Sequence, residues 1–171
     1  LEFKIKNKEE IINTFKKLSE KIGKEKVILR YDPILITDKY SENIHLKAFE
    51  NICETLNNYT EKVIISFLDD YKKVSCNMKG IELHKIDTEK MRFFGKNFAQ
   101  IAKRYNLTIE TCAEGVDLSE YGIAHGKCID GDLIERITGY KITNKDKKDG
   151  NREHCGCMKC IDIGAYDTCV H

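Results

Sequence analysis

The chain has 171 residues and a formal net charge of +1, with 29 basic and 28 acidic side chains, so it lacks the positive surplus typical of nucleic-acid-binding domains. It contains no apolar run of about 18 residues, and no signal peptide precedes its charged opening segment, so neither a membrane span nor secretion is predicted. We therefore expect a cytoplasmic protein. In that reducing compartment its eight cysteines favour metal ligation over disulfides.

Helical and strand patterns alternate along the chain. Apolar residues at helical spacing predict helices, with Asn7 and Thr88 as N-caps, at 7–23, 41–58, 88–105 and 131–138. Short runs rich in Val, Ile and Leu predict buried strands at 26–31, 62–68 and 107–112. Asp32-Pro33 is expected to end the first strand, because proline cannot donate to a strand ladder.

Strands separated by amphipathic helices indicate βαβ units and a parallel sheet. Three strands are too few to close an eight-stranded barrel, so the alternatives are a small open sheet or part of a larger barrel. We predict an α/β fold: a partial (β/α) barrel at 1–140, followed by a linker and a cysteine-rich, metal-binding tail at 141–171. The chain begins with Leu1 rather than Met, and we expect it to be a fragment.

Polar side chains collect at the predicted strand ends, where parallel α/β proteins bind their ligands. Arg30, Asp32 and Glu110 are the predicted catalytic residues: a substrate anchor and proton-handling carboxylates for a small-molecule or unknown substrate. The alternative is structural, an ion pair of Arg30 with either Glu110 or Asp32. Asp69 and Asp70 follow the second strand.

Cysteine supplies the strongest chemical pattern. The tail has the spacing C-x-C-x2-C-x8-C from Cys155 to Cys169, and thiolates suit zinc, Cu(I) or iron–sulfur clusters. The predicted metal ligands combine body and tail, namely Cys112, Cys128, Cys155, Cys157 and Cys160. Cys53 fits a helix core position and is expected to be packing, and Cys76 lies in a loop. The spacing leaves the metal open.

Several of these segments resemble one family. The segments are Arg-Tyr-Asp-Pro-Ile at 30–34, Ile-Ser-Phe with Asp69 and Tyr71, Asn-Met-Lys-Gly at 77–80, Glu-Thr-Cys-Ala-Glu at 110–114 and the tail Cys-Gly-Cys…Ile-Asp-Ile-Gly-Ala-Tyr…Thr-Cys. Together they resemble an uncharacterised bacterial domain-of-unknown-function family that is similar to radical S-adenosylmethionine proteins. Family members extend further at both ends, where they carry more barrel strands and the rest of a C-x3-C-x2-C motif.

The resemblance implies an iron–sulfur enzyme. Cys169 would match the first cysteine of the triplet that holds a four-iron cluster, which in turn binds S-adenosylmethionine. This chain departs from the family pattern, since it ends two residues after Cys169 and has Cys160 where a small polar residue is expected. Missing chain regions or another chain would cover an edge of the sheet. The alternative is a non-catalytic protein with a structural four-cysteine zinc site.

Overall fold

Four parallel strands form one sheet in the protein, whose computed structural model describes residues 7–68, 80–143, 154–161 and 163–165. The strands lie side by side in chain order: β1 (Leu29–Ile34), β2 (Lys62–Phe67), β3 (Thr108–Thr111) and β4 (Ala124–His125). The predicted α/β fold with parallel strands is therefore confirmed. The sequence pattern did not predict β4, because a strand of two residues shows no alternation.

Four α-helices accompany the strands within the described ranges: α1 (Lys8–Ile22), α2 (Glu42–Leu56), α3 (Thr88–Arg104) and α4 (Gly131–Thr138). Asn7 caps α1 as predicted, its side chain accepting a hydrogen bond from the backbone N–H of Glu9 at 3.0 Å. The predicted cap Thr88 is wrong by one residue. Asp87 takes that position and accepts from the N–H of Lys90 at 2.9 Å.

The first strand differs from its prediction at both ends. It begins at Leu29, because Lys24–Lys26 forms a short 3₁₀ turn. It also continues through the cis Asp32-Pro33 bond to Ile34, whose carbonyl accepts from the N–H of Leu68 at 2.9 Å. Proline is tolerated here because β1 is an edge strand, where one side of the backbone needs no partner. The pairing register with β2 shifts between Tyr31 and Ile34.

One face of the sheet packs against α2 and α3. Side chains alternate along a strand, so Val63, Ile65 and Phe67 of β2 share a face, and all three are buried in the core. Phe49 of α2 stacks on Phe98 of α3 with ring centroids 4.0 Å apart. Cys53, predicted as a packing residue, is fully buried in the same core.

The opposite face of the sheet, called the polar face below, carries the charged side chains of the strands around one buried apolar residue, Ile64. The register aligns Arg30 with Ile64 and Ile64 with Glu110, which places all three on the face away from the core helices. Lys62 and Ser66 belong to the same face of β2 by alternation. Arg30 and Glu110, the charged residues that interrupt the apolar strand patterns, therefore lie on the face of the sheet that is turned away from the core helices.

The sheet is open over the described residues, since β1 and β4 each pair on one side. Closure into a barrel, and coverage of an edge by further strands or another chain, stay predictions. No helix in the described ranges is both long enough and apolar enough to cross a membrane.

Candidate metal centre

Three polar side chains form a network on the polar face of β1 and β2. Arg30 is the second residue of β1 and Asp32 lies within the strand, rather than both at its end as predicted, because β1 runs on to Ile34. Arg30 donates hydrogen bonds from Nε, at 2.9 Å, and from Nη2 to the same carboxylate oxygen, Oδ2 of Asp32. The hydroxyl of Ser66 donates to the other oxygen, Oδ1, at 2.6 Å. Asp32 is therefore held from both sides, and of the two predicted ion-pair alternatives, Arg30 forms the one with Asp32. This network fixes the direction of the guanidinium.

The free edge of that guanidinium contacts two thiols. Arg30 Nη1 donates to Cys128 Sγ at 2.8 Å, and Cys128 Sγ lies 3.1 Å from Cys112 Sγ. Cys112 follows β3, and its N–H continues the ladder by donating to Ile65 O at 2.9 Å. Two predicted ligands that are 16 residues apart in sequence are thus in contact.

The tail segment 154–161 docks on the loop that carries Cys128. The backbone N–H groups of Cys128 and Ile129 donate to Cys157 Sγ at 3.2 and 3.4 Å, and Met158 N–H donates to Ile129 O at 3.1 Å. Cys157 is consequently buried, with 7% of its surface exposed. A Cβ at Gly156 would lie 3.2 Å from the carbonyl oxygen of Gly126, so glycine permits this close approach.

The surroundings shift the pKa values of three of the thiols. Burial raises the pKa of Cys155 against the opposing backbone N–H of Cys157, and the neighbouring thiols of Cys157 and Cys112 raise it further. Burial and the hydrogen bond from Cys112 raise the pKa of Cys128 to about 11, against the opposing effect of Arg30. Cys157 differs: burial disfavours its thiolate, but N–H donors and the Cys155 thiol outweigh this and lower its pKa.

Arg30 responds to the same surroundings. Burial lowers the pKa of its guanidinium, but hydrogen bonds to Asp32, Cys112 and Cys128 outweigh burial and raise that pKa above its ordinary value. The cation is therefore fixed beside the thiols.

Over the part of the chain that the structure describes, no group of three or more His, Cys, Asp or Glu side chains is already arranged to hold a metal ion. Instead, the thiols contact one another.

Glu110 belongs to a different ion pair from the one proposed for it with Arg30. Its Oε1 lies 2.8 Å from Nζ of Lys62, which also lies 3.8 Å from Oδ2 of Asp130. Its carboxylate remains on the polar face, next to Gly126. The three predicted catalytic residues thus share one face of the sheet. Arg30 contacts Asp32, whereas Glu110 contacts Lys62.

The remaining candidates lie around or outside this cluster. Cys160 is half-buried in the tail segment. His125 Nδ1 lies 3.3 Å from Thr111 Oγ1, and His154 lies against Gly115. Four residues singled out from the sequence lie outside the described residues, namely Asp69, Asp70, Cys76 and Cys169.

Two kinds of group at this site are not predicted from the sequence. The apolar run at 62–68 conceals Lys62, although its alternation with Ser66 places it on the polar face. The backbone donors of Cys128 and Ile129 to Cys157 Sγ leave no signal in side-chain chemistry. The adjacent glycines, Gly126 and Gly156, were the available hint that two backbones meet closely here.

Comparison with known proteins identifies the family but no activity. Neither the curated proteins nor the solved structures include a significant match to the chain. One family model matches residues 1–171, the whole sequence. The chain belongs to the family described as a domain of unknown function, DUF1848.

Proposed function

We propose that this protein binds a metal at a four-cysteine centre, in which Cys112 and Cys128 of the body combine with Cys155 and Cys157 of the tail segment. The observation that carries the proposal is the convergence of thiols from three separate segments at the carboxyl edge of a parallel sheet. Chance packing would leave such cysteines dispersed, whereas a shared ligand accounts for their contacts. Cysteine thiolates select soft or borderline metals.

Sulfur spacing favours a single metal ion. Zinc–thiolate bonds of about 2.3 Å in a tetrahedron set neighbouring sulfurs about 3.8 Å apart. The Cys112 and Cys128 sulfurs, at 3.1 Å, need to separate only slightly to reach that spacing once the metal replaces their protons. In a four-iron cluster each cysteine binds a different iron, which sets the sulfurs further apart. We therefore favour zinc or another single tetrahedral ion.

Outer partners for such a centre are already in place. Arg30 would donate to the thiolate of Cys128, and two backbone N–H groups would donate to that of Cys157. Four thiolates around a divalent ion carry a net charge of about −2, so these donors offset charge that would otherwise be poorly solvated. Arg30 would thus act on the metal centre rather than on a substrate.

An iron–sulfur cluster in a radical S-adenosylmethionine-like enzyme is the second candidate function. Its support is the position of Cys112 and Cys128 after β3 and β4, at the edge where parallel α/β proteins usually perform chemistry. Catalytic roles for Arg30, Asp32 and Glu110, cluster ligation by Cys169 and binding of S-adenosylmethionine stay predictions of this alternative. A cytoplasmic location stays a prediction as well.

Anaerobic purification of the protein, followed by metal analysis and a visible spectrum, tests both candidates. We expect about one tetrahedral ion per chain, and cobalt(II) in its place should give the intense visible bands of tetrahedral thiolate coordination. A brown protein with broad visible absorption and several irons per chain would instead support the cluster. Protein without stoichiometric metal would overturn the proposal.

Substitutions identify the ligands. Serine at Cys112, Cys128, Cys155 or Cys157 should each reduce bound metal by at least 10-fold relative to the parent chain. Cys53→Ala is the matched control, since that thiol is buried in the helix-side core. Cys160→Ser tests the fifth predicted ligand, and full metal content in that variant would exclude Cys160 from the centre.

A further inference from the structure

The Cys112–Cys128 pair is accessible to solvent. Cys128 is exposed and Cys112, like Cys155 and Cys160, is half-buried, whereas Cys157 and Cys53 are buried. The two sulfurs lie 3.1 Å apart, and they come from neighbouring parallel segments. An oxidant in solution can therefore reach one sulfur while the second stands next to it.

The backbone already holds this pair close together. β3 and β4 pair in parallel, with Thr111 opposite His125, and Gly126 N–H extends the ladder by donating to Thr111 O at 2.7 Å. Closing the sulfur gap from 3.1 Å to a disulfide bond of about 2.05 Å requires a movement of about 1 Å. The tail pair differs from this body pair. Cys155 and Cys157 are separated by one glycine, and the N–H groups of Cys128 and Ile129 hold the Cys157 sulfur towards the loop that carries Cys128.

We infer that Cys112 and Cys128 are a redox modification site, at which a hydroperoxide converts the two thiols into a reversible disulfide. The sulfur of Cys128, the exposed member of the pair, attacks the terminal peroxide oxygen, and the thiol proton passes to the leaving oxygen. The O–O bond breaks, the sulfur becomes a sulfenic acid, and water or an alcohol leaves. Cys112 then attacks that sulfur, the S–S bond forms, and the sulfenic oxygen leaves as water. Overall the two thiols lose two electrons and two protons, and the peroxide is reduced.

Formation of this disulfide would disassemble the metal centre. It removes two of the four thiolates, so the remaining Cys155 and Cys157 could not hold the ion tightly. This consequence rests on the proposed function, whereas the disulfide itself does not, because it needs only the two body cysteines and an oxidant. Reduction by a small thiol would restore both sulfurs and, with them, the capacity for metal.

The full chain, freed of metal by chelation and fully reduced, provides the test. It is treated with hydrogen peroxide, alkylated, and digested without reduction for peptide mass spectrometry. We expect a Cys112–Cys128 cross-linked peptide pair lighter by two hydrogens than the reduced pair, formed in most molecules and lost after reduction. Cys53→Ala should give the same product. Cys112→Ser should stop at a trapped sulfenic acid on Cys128, detectable with a sulfenic-acid probe.

A second measurement separates this inference from the metal proposal. Zinc is added to reduced and to oxidised protein, and free zinc is read with a chromogenic chelator. Binding to the reduced form, with at least a 10-fold loss after oxidation, is the expected result. A disulfide that forms in protein unable to bind zinc would uphold the redox site and sink the metal centre. Predominant Cys155–Cys157 linkage, or irreversible oxidation without an S–S bond, would overturn the redox site.

Discussion

Arg30 Nη1 donates a hydrogen bond to Cys128 Sγ at 2.8 Å, joining two residues that are 98 positions apart in sequence. The other N–H groups of the same guanidinium donate to Asp32, which Ser66 holds from the opposite side. The planar guanidinium fork can serve both partners in fixed directions. The polar face of β1 is thereby tied to the loop after β4, across two intervening strands.

Replacing Arg30 by Gln should weaken metal binding while leaving the fold intact. The variant removes the cation that offsets thiolate charge, and loss of an outer-shell partner of this kind costs about 10- to 100-fold in metal affinity. Arg30→Lys should recover part of the loss, because an ammonium restores the charge without the planar fork. Affinity is measured by competition with a chromophoric chelator.

Arg92→Gln is the matched control for this experiment. Arg92 also forms an ion pair, at 2.7 Å with Glu120, but both side chains are about half exposed. An exposed ion pair contributes about 0–1 kcal/mol to stability. Equal affinities in Arg30→Gln and Arg92→Gln would show that Arg30 has no role in metal binding.

Gly126→Ala should damage the site sterically. A Cβ there would lie 2.7 Å from Glu110 Oε2 and 2.8 Å from the carbonyl oxygen of Thr111, and the latter is backbone that cannot move aside easily. The loop carrying Cys128 must then shift, so we expect a loss of about 1–3 kcal/mol in stability together with lower metal content. Denaturant unfolding and metal analysis measure the two effects.

Gly164→Ala is the control for added bulk, because no atom of the described residues lies within 4 Å of a Cβ at that position. We expect stability and metal content to be unchanged in that variant. If Gly126→Ala keeps the stability and the metal content of Gly164→Ala, the close approach of the loop to β3 is not required for metal binding.

The sequence predicts a helix well where local signals mark both of its ends. The short helix α4 matches its predicted bounds of 131–138, since Asp130 caps it and Gly139, at φ +73°, ends it. The sharing of a metal by body and tail cysteines stays a prediction.

Long-range partners could not be predicted in the same way. Arg30 had two plausible carboxylate partners, and only the register that aligns Arg30, Ile64 and Glu110 shows which side chains face one another. Glu110 pairs with Lys62, which the apolar run at 62–68 concealed. The contact between backbone donors and Cys157 Sγ depends on how the tail docks, which periodicity does not encode.

Phe98→Ala should strongly destabilise the fold. Phe98 is fully buried and stacks on Phe49, so truncation removes a large apolar side chain and leaves a cavity between α2 and α3. The expected loss is about 3–5 kcal/mol in the free energy of unfolding. Phe93→Ala, at a position 43% exposed on the same helix, should cost about 1 kcal/mol or less. Similar losses from both, measured by denaturant unfolding, would contradict the assigned core.

Alkaline pH should reveal the buried thiol of Cys53. Burial raises the pKa of Cys53 from 9.0 to about 12, and the nearby Glu50 carboxylate adds to the shift. The folded state therefore keeps this proton at pH values where the unfolded state has released it. The corresponding stability is fully present below pH 9 and is lost as pH rises towards 12, by up to about 1.4 kcal/mol per pH unit.

The Cys53→Ala variant isolates this contribution from other groups that titrate at alkaline pH, among them Tyr31, whose pKa burial raises to about 12. The variant should be less stable at pH 8, because a small cavity replaces the sulfur. Its free energy of unfolding should then fall less steeply than that of the parent between pH 9 and 11, so the two curves approach each other. Chelator present throughout keeps metal from contributing. Curves that stay parallel over this range would show that Cys53 titrates alike in the folded and unfolded states, contrary to its position in the core.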